Sequence, residues 1–418
     1  MQKRFTPNAG GVFPEWEEVR LGDIVELKNG YAFSAKTYDK KHDGKYNVLT
    51  IANVQSEKFV KIDNKTNTIS ELPKNIREHQ KLKDGDLLIS LTGNVGRVAI
   101  NKGQNNLLNQ RVGKLEIKDA EKVDSTFLYY VLNSDLFLKS MKCKGHGTAQ
   151  KNLSKPDVEE FLFYMPCIEE QRKIAAALAA YDEMIAVKTA KLETWQECKK
   201  RMVKEIFDRT KRFRDDDGNE FPEWEEKTLG EVAELKNGYA FSSKSYDKNN
   251  SGDYKIITIG NLQEGKDIVI NNRTKTVSNV PKNIKEHQIL HDGDILVALT
   301  GATIGKVALN AGTNHLLNQR VGKIQIKDIT NINNEFLYYI VNQEEFKSEM
   351  ESKGHGSAQP NLSKCDVEGF SFFLPCIEEQ QKIGSFLSEI DKEIEIQKEF
   401  IKTYAEGKKR MMRELMER

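Results

Sequence analysis

The seam of the stretch from Ile168 to Asp208 runs Ile174, Leu178, Tyr181, Ile185, Lys188, Leu192, Trp195, Lys199, Met202 and Ile206, in alternating steps of four and three. A 3.5-residue period predicts a coiled-coil helix. With neither Pro nor Gly to stop it, the segment would extend ~60 Å at 1.5 Å per residue. The C-terminal stretch repeats the pattern: Ile383, Leu387, Ile390, Ile394, Gln397, Ile401, Tyr404, Lys408, Met411 and Leu415. The polar breaks coincide too, Lys188 with Gln397 and Lys199 with Lys408. Polar seam residues either fix register at a cost in stability or snorkel to the edge of the pair.

Ahead of each seam the pattern shortens. Asn47–Ile51, Asp86–Leu91, Arg97–Ile100 and Leu115–Ile117 are Val-, Ile- and Leu-rich runs bounded by turn signals, and predict strands. Ser125–Met141 is amphipathic and predicts one helix beginning near Ser125. Ser154 predicts the cap of a short helix through Pro156 and Asp157, followed by a buried strand over Phe161–Met165. All of this occurs twice. FPEWEEVRLGDIVELKNGYAFSAKTYDK from Phe13 returns as FPEWEEKTLGEVAELKNGYAFSSKSYDK from Phe221, and LLNQRVGK, FLYY, KGHG, NLSK and PCIEEQ recur in order. One inserted residue separates TGNVGRVAIN from TGATIGKVALN. The period is too long for a solenoid and marks a duplicated domain-plus-helix unit.

The expected division is a domain at 1–167, a central helix at 168–208, a charged linker at 209–220, a second domain at 221–376 and a C-terminal helix at 377–418. The fold class is α+β: two similar mixed α/β domains separated by two long antiparallel coiled-coil helices, a pseudo-twofold internal repeat.

Composition adds limits. The chain is 38% hydrophobic and 30% charged, ordinary for a soluble protein. No apolar run approaches the ~18 residues of a membrane span, and the N-terminus lacks a signal peptide's apolar core. Five cysteines without a CxxC pair read as reduced thiols in a cytoplasmic protein. A net charge of +1 argues against a generic polyanion binder, yet segment 1–167 is roughly +5 and segment 221–376 roughly −3. Nucleic-acid contact would therefore need local patches.

Catalytic signatures are absent: no GxxxxGK[ST], GxGxxG, Asn/Asp-Pro-Pro-aromatic loop, HExxH or GxSxG, and no histidines at metal-ligand spacing. What remains are loops mixing glycine, amides and basic residues. Lys144 to Asn152 contains Lys144, His146, Thr148, Gln150, Lys151 and Asn152; its copy contains Lys353, His355, Ser357, Gln359 and Asn361. Glycine permits close backbone approach, amides can pair with adenine, and lysine with guanine or phosphate; an exposed connecting loop fits these residues as well. Thr92–Arg97 and Thr300–Lys306 place Arg97 and Lys306 beside glycine pairs, suited to a hairpin tip at phosphate or to an ordinary hairpin. Asn109-Gln110-Arg111 and Asn318-Gln319-Arg320 lie between apolar runs, as base readers or as a strand with one wet face. In the Asn-Gly turns from Lys28 and Lys236, Phe33 and Phe241 suit core packing better than base stacking.

With GTAQKNLS and PCIEEQRKI in the first copy answered by GSAQPNLS and PCIEEQQKI in the second, GYAFS from Gly30 and Gly238, and NQRVGK from Asn109 and Asn318, the chain resembles the specificity subunit of type I restriction-modification systems along nearly all its length. The resemblance implies two target recognition domains, each reading half of a bipartite site on double-stranded DNA. It implies an antiparallel helical spacer that docks two methyltransferase subunits and restriction subunits. No catalytic residue, metal or cofactor is expected in this chain, and no membrane association; S-adenosylmethionine and ATP would be bound by the partners. Family members commonly pair dissimilar recognition domains, whereas these are alike, so the half-sites should be near-palindromic. Two readings of other classes remain: a coiled-coil scaffold for protein partners, and a stand-alone DNA methyltransferase or nuclease, the latter disfavoured by the missing motifs.

Overall fold

The computed structural model describes residues 5–7, 10–55, 57–145, 151–263, 265–354 and 361–416. The chain forms two compact units, Met1–Thr189 with Glu399–Arg418, and Ala190–Lys398. Each unit thus holds one domain, the start of the helix that follows it and the end of the other long helix.

In the first unit the chain runs β1 (Glu17–Arg20), α1 (Leu21–Ile24), β2 (Val25–Asn29), β3 (Tyr46–Leu49), β4 (Thr68–Ile69), β5 (Lys81–Leu82), β6 (Leu87–Ser90), β7 (Val98–Ile100), β8 (Asn106–Leu108) and β9 (Val112–Ile117). Helices α2 (Ser125–Leu132), α3 (Asp135–Lys144) and α4 (Lys155–Glu159), strand β10 (Leu162–Met165) and the long α5 (Ile168–Phe207) follow. One sheet is antiparallel, in the order β2-β9-β6-β7. A second, β4-β3-β8-β5, joins β3 and β8 in parallel, and β1 pairs with β10. Strand β6 is buried at all four residues, as its unbroken LLIS run requires of a central strand. Phe33 and Phe241 are core residues, as their setting suggested.

The second unit repeats both sheet orders. Its helices are α6 (Leu229–Val232), α7 (Asn334–Val341), α8 (Glu344–Gly354), α9 (Lys364–Glu368) and α10 (Ile377–Met416).

The segment predicted as one helix over Ser125–Met141 is two. Ser134 accepts from the Phe137 N–H at 3.2 Å and caps α3, while Asp124 caps α2 by accepting from Phe127 N–H at 2.8 Å. The internal cap starts a new helix where the apolar pattern alone continues. The Ser154 cap of α4 is present, with Asp157 completing a capping box.

The recurring IEEQ fastens each long helix to its domain. Glu170 and Gln171 are fully buried. Trp16 Nε1 donates to Glu170 at 3.0 Å; the Gln171 amide accepts from Asp124 N–H at 2.9 Å and donates to the carbonyls of Lys122 and Pro166. Trp224, Glu379 and Gln380 repeat this arrangement, with Arg212 bonded to Glu379 at 2.8 Å.

The helices pack antiparallel, visibly so within each unit. In the first, Ile174 and Leu178 share a core with Leu415, and the Tyr181 and Tyr404 rings meet at 6.4 Å. In the second, Ile383, Leu387, Ile390 and Ile394 share a core with Met202 and Ile206, with Leu192 and Trp195 packed against it. Ile185 and Ile401 are half-buried. Two of the polar seam residues form ion pairs with the opposite helix: Lys408 with Asp182, and Lys199 with Asp391 at 2.6 Å. Lys188 lies over the Phe400 ring at 4.3 Å. Among the described residues no helix is long and apolar enough to cross a membrane.

Candidate functional site

Asn109, Gln110 and Arg111 form a tight turn between β8 and β9 rather than a wet-faced strand. Asn109 is buried, and its Oδ1 accepts from Arg111 N–H at 3.0 Å, the side-chain turn that Asn readily supplies. Its amide donates to the Tyr38 hydroxyl at 3.4 Å. Burial pushes the Tyr38 hydroxyl pKa up, opposed by that hydrogen bond and by the Arg111 charge. Asn109 thus frames the turn, and Gln110 and Arg111 project from it exposed. Asn318, buried, accepts from Arg320 N–H at 3.1 Å, leaving Gln319 and Arg320 exposed.

The Gly30 loop supports the turn from below. Tyr31 N–H donates to Leu108 O at 2.7 Å, and Gln110 N–H to Tyr31 O at 2.9 Å. A Cβ on Gly30 would fall 2.2 Å from the Asn109 carbonyl oxygen, and one on Gly238 equally close to that of Asn318, so only glycine fits.

Three candidate segments far apart in sequence meet at this end of the antiparallel sheet. Leu91 N–H donates to Arg111 O at 3.0 Å, Leu153 N–H to Leu91 O at 2.8 Å, and Gly93 N–H to Lys151 O at 2.9 Å. Thr92 bridges Asn152. The turn, the 92–97 hairpin tip and the strand-like residues Lys151 to Leu153 are therefore one surface. The second unit matches it: Leu299 N–H donates to Arg320 O, Leu362 N–H to Leu299 O, and Thr300 bridges Asn361. The inserted residue is absorbed in a single helical turn at Gly301–Thr303.

The remaining basic candidates are partly engaged. Arg97 donates to Gln55 at 2.9 Å, and Lys306, its counterpart, is half-buried. Lys144 donates to Asp157 O at 3.2 Å and Lys151 to Lys142 O at 2.6 Å. Lys353 pairs with Glu349 at 2.6 Å. His146, Thr148, Gln150, His355, Ser357 and Gln359 lie outside the described residues. Residue types alone did not reveal the Trp16–Glu170 and Trp224–Glu379 anchors, although FPEW and IEEQ recurring at matching distances was the available signal.

A family model described as "Type I restriction modification DNA specificity domain" matches residues 14–194 and again 222–403. The MjaVIII type I restriction enzyme specificity subunit of Methanocaldococcus jannaschii is 29% identical over 96% of this chain and 92% of its own. The EcoBI specificity subunit of Escherichia coli is 22% identical over 89% of this chain and 78% of its own. Among solved structures, the S subunit of a type I restriction-modification system from M. genitalium superposes with a TM-score of 0.66 at 16% identity, covering 99% of both chains.

Proposed function

We propose, from the premise that this chain belongs to the type I restriction-modification DNA specificity family, that its two exposed Gln-Arg turns read bases in DNA. The chain is the non-catalytic specificity subunit of such a system, and catalysis resides in the other subunits. It works on DNA together with those subunits. Two methyltransferase subunits holding S-adenosylmethionine, and restriction subunits using ATP, are the partners that this reading assigns to the long helices.

One observation carries the base-reading proposal: both units bury the Asn of NQR and expose its Gln and Arg on a glycine-supported turn. A Gln amide matches the N6/N7 edge of adenine and an Arg guanidinium the O6/N7 edge of guanine, each bidentately. The adjoining tip, with Arg97 or Lys306 behind it, suits the phosphate backbone, which positions without specifying. Since the turns are the same in both copies, the half-sites should be nearly identical. Read on opposite strands, as twofold binders do, they make a near-inverted repeat around an unread spacer.

Replacing Arg111 by Ala in the assembled complex should relax reading at one position of one half-site, a cost of about 1–3 kcal/mol for the correct duplex. Arg320→Ala should do the same to the other half. Competition between the cognate duplex and single-base variants measures it. Uniform weakening across all duplexes would assign these arginines to phosphate instead.

A further inference from the structure

The two copies share their turns but not the surroundings of those turns. Segment 135–155 contains five Lys and one Asp, whereas its counterpart 344–364 contains three Lys and four Glu. In α3, Asp135, Leu136, Lys139, Lys142 and Cys143 form one exposed face, at the three- and four-residue spacing of a helix surface. Among the described residues, Lys139 and Lys142 enter no ion pair. In α8 the lysines are compensated on the helix itself, Lys347 by Glu344 at 3.5 Å and Lys353 by Glu349 at 2.6 Å, and Glu345 and Glu351 remain in excess.

Both helices sit beside their reading surface. A Cβ on Gly96 would fall 2.6 Å from Met141 Cβ, and one on Gly305 2.9 Å from Met350 Cβ, so each hairpin tip lies directly on its helix. The Lys151 ammonium, bonded to the Lys142 carbonyl, ties the C-terminal end of α3 to the residues that bridge Thr92.

We infer that α3 is a phosphate grip that the second unit lacks: Lys139 and Lys142 neutralise backbone phosphates flanking the half-site read by the first unit. The inference rests on the DNA reading above and extends it. An unpaired ammonium beside the duplex releases condensed counterions, a sequence-independent gain of about 0.9 in the slope of log K against log salt per phosphate. A lysine already paired with glutamate on its own helix gains little by exchanging partners, and the excess carboxylates of α8 repel the backbone. The two halves therefore read alike and hold unequally, with the first unit as the electrostatic anchor.

The test is a salt series on the full-length chain in complex with its methyltransferase partner, using a cognate and a scrambled duplex. K139Q/K142Q should reduce the slope by about 2 and weaken both duplexes by the same factor. S348K/E351K, which places lysines at the equivalent positions of α8, should steepen it by a similar amount, and K347Q should leave it unchanged. An unchanged slope in K139Q/K142Q overturns the inference; if that variant loses affinity for the methyltransferase instead, α3 faces a protein. A wild-type complex that never prefers the cognate duplex would defeat the DNA reading itself, which is a different result.

Discussion

His315 marks a chemical departure of the second unit from the first inside an otherwise matched core. It is buried, and its Nδ1 lies 2.7 Å from Asn310 Oδ1. Asn310 Nδ2 donates to the carbonyls of His291 and Gly312, so its Oδ1 is the acceptor and the imidazole carries its proton on Nδ1. The first unit has Asn106 here, donating to Asn101 at 2.8 Å. Burial, with the nearby Lys255 charge, lowers the His315 pKa below its ordinary 6.5. The unfolded chain then binds the proton first, so the stability present above pH 6.5 is lost as pH falls below it. His315→Asn should remove that loss, which is at most about 1.4 kcal/mol per pH unit for one proton. Denaturant midpoints taken between neutral and mildly acidic pH should fall more steeply for the wild type; parallel curves would contradict the assignment. At this scale sequence was only partly legible. Asn109, Gln110 and Arg111 look equivalent as a polar triplet, and what sorts them is the approach of the Gly30 backbone from a distant strand. The Asn-x-Arg spacing of a side-chain turn was a usable hint.

Among the elements, the long helices were the most legible, because a 3.5-residue seam sustained over 40 residues has few alternatives. Their antiparallel pairing was expected too, whereas the residue-by-residue register was not, since it depends on contacts between segments some 200 residues apart. The structure supplies a reason for the two matched lysines. Asp182 accepts from the Tyr130 hydroxyl at 2.6 Å and pairs with Lys408; Asp391 accepts from Tyr339 at 2.7 Å and pairs with Lys199. Each carboxylate also raises the pKa of its tyrosine beyond what burial does, keeping the hydroxyl a donor. These clusters join a domain helix, the start of one long helix and the end of the other, fixing register in both units. A double-mutant cycle of Asp391→Asn with Lys199→Met should show a coupling of about 0.5–3 kcal/mol, and so should Asp182→Asn with Lys408→Met. Asp182→Asn with Lys199→Met should be additive. Additivity in either matched pair instead would contradict the antiparallel register.

For the whole molecule, the internal repeat was plain in sequence, and the grouping of each helix end with the other copy's unit follows from the antiparallel packing expected of the two seams. On the proposed reading the duplication keeps what reads and varies what holds: NQR turns and glycine supports recur, while the α3 and α8 charges oppose. On this reading one chain carries two like readers. The most direct measurement is the sequence context of methylated bases in cells containing this chain and its methyltransferase partner, compared with cells lacking the chain. Two nearly identical half-sites in inverted orientation around an unspecified spacer are the predicted result. Two unrelated half-sites would contradict it, and would move base reading to the segments where the copies differ, Asn94-Val95 against Ala302-Thr303-Ile304 and Lys151 against Pro360.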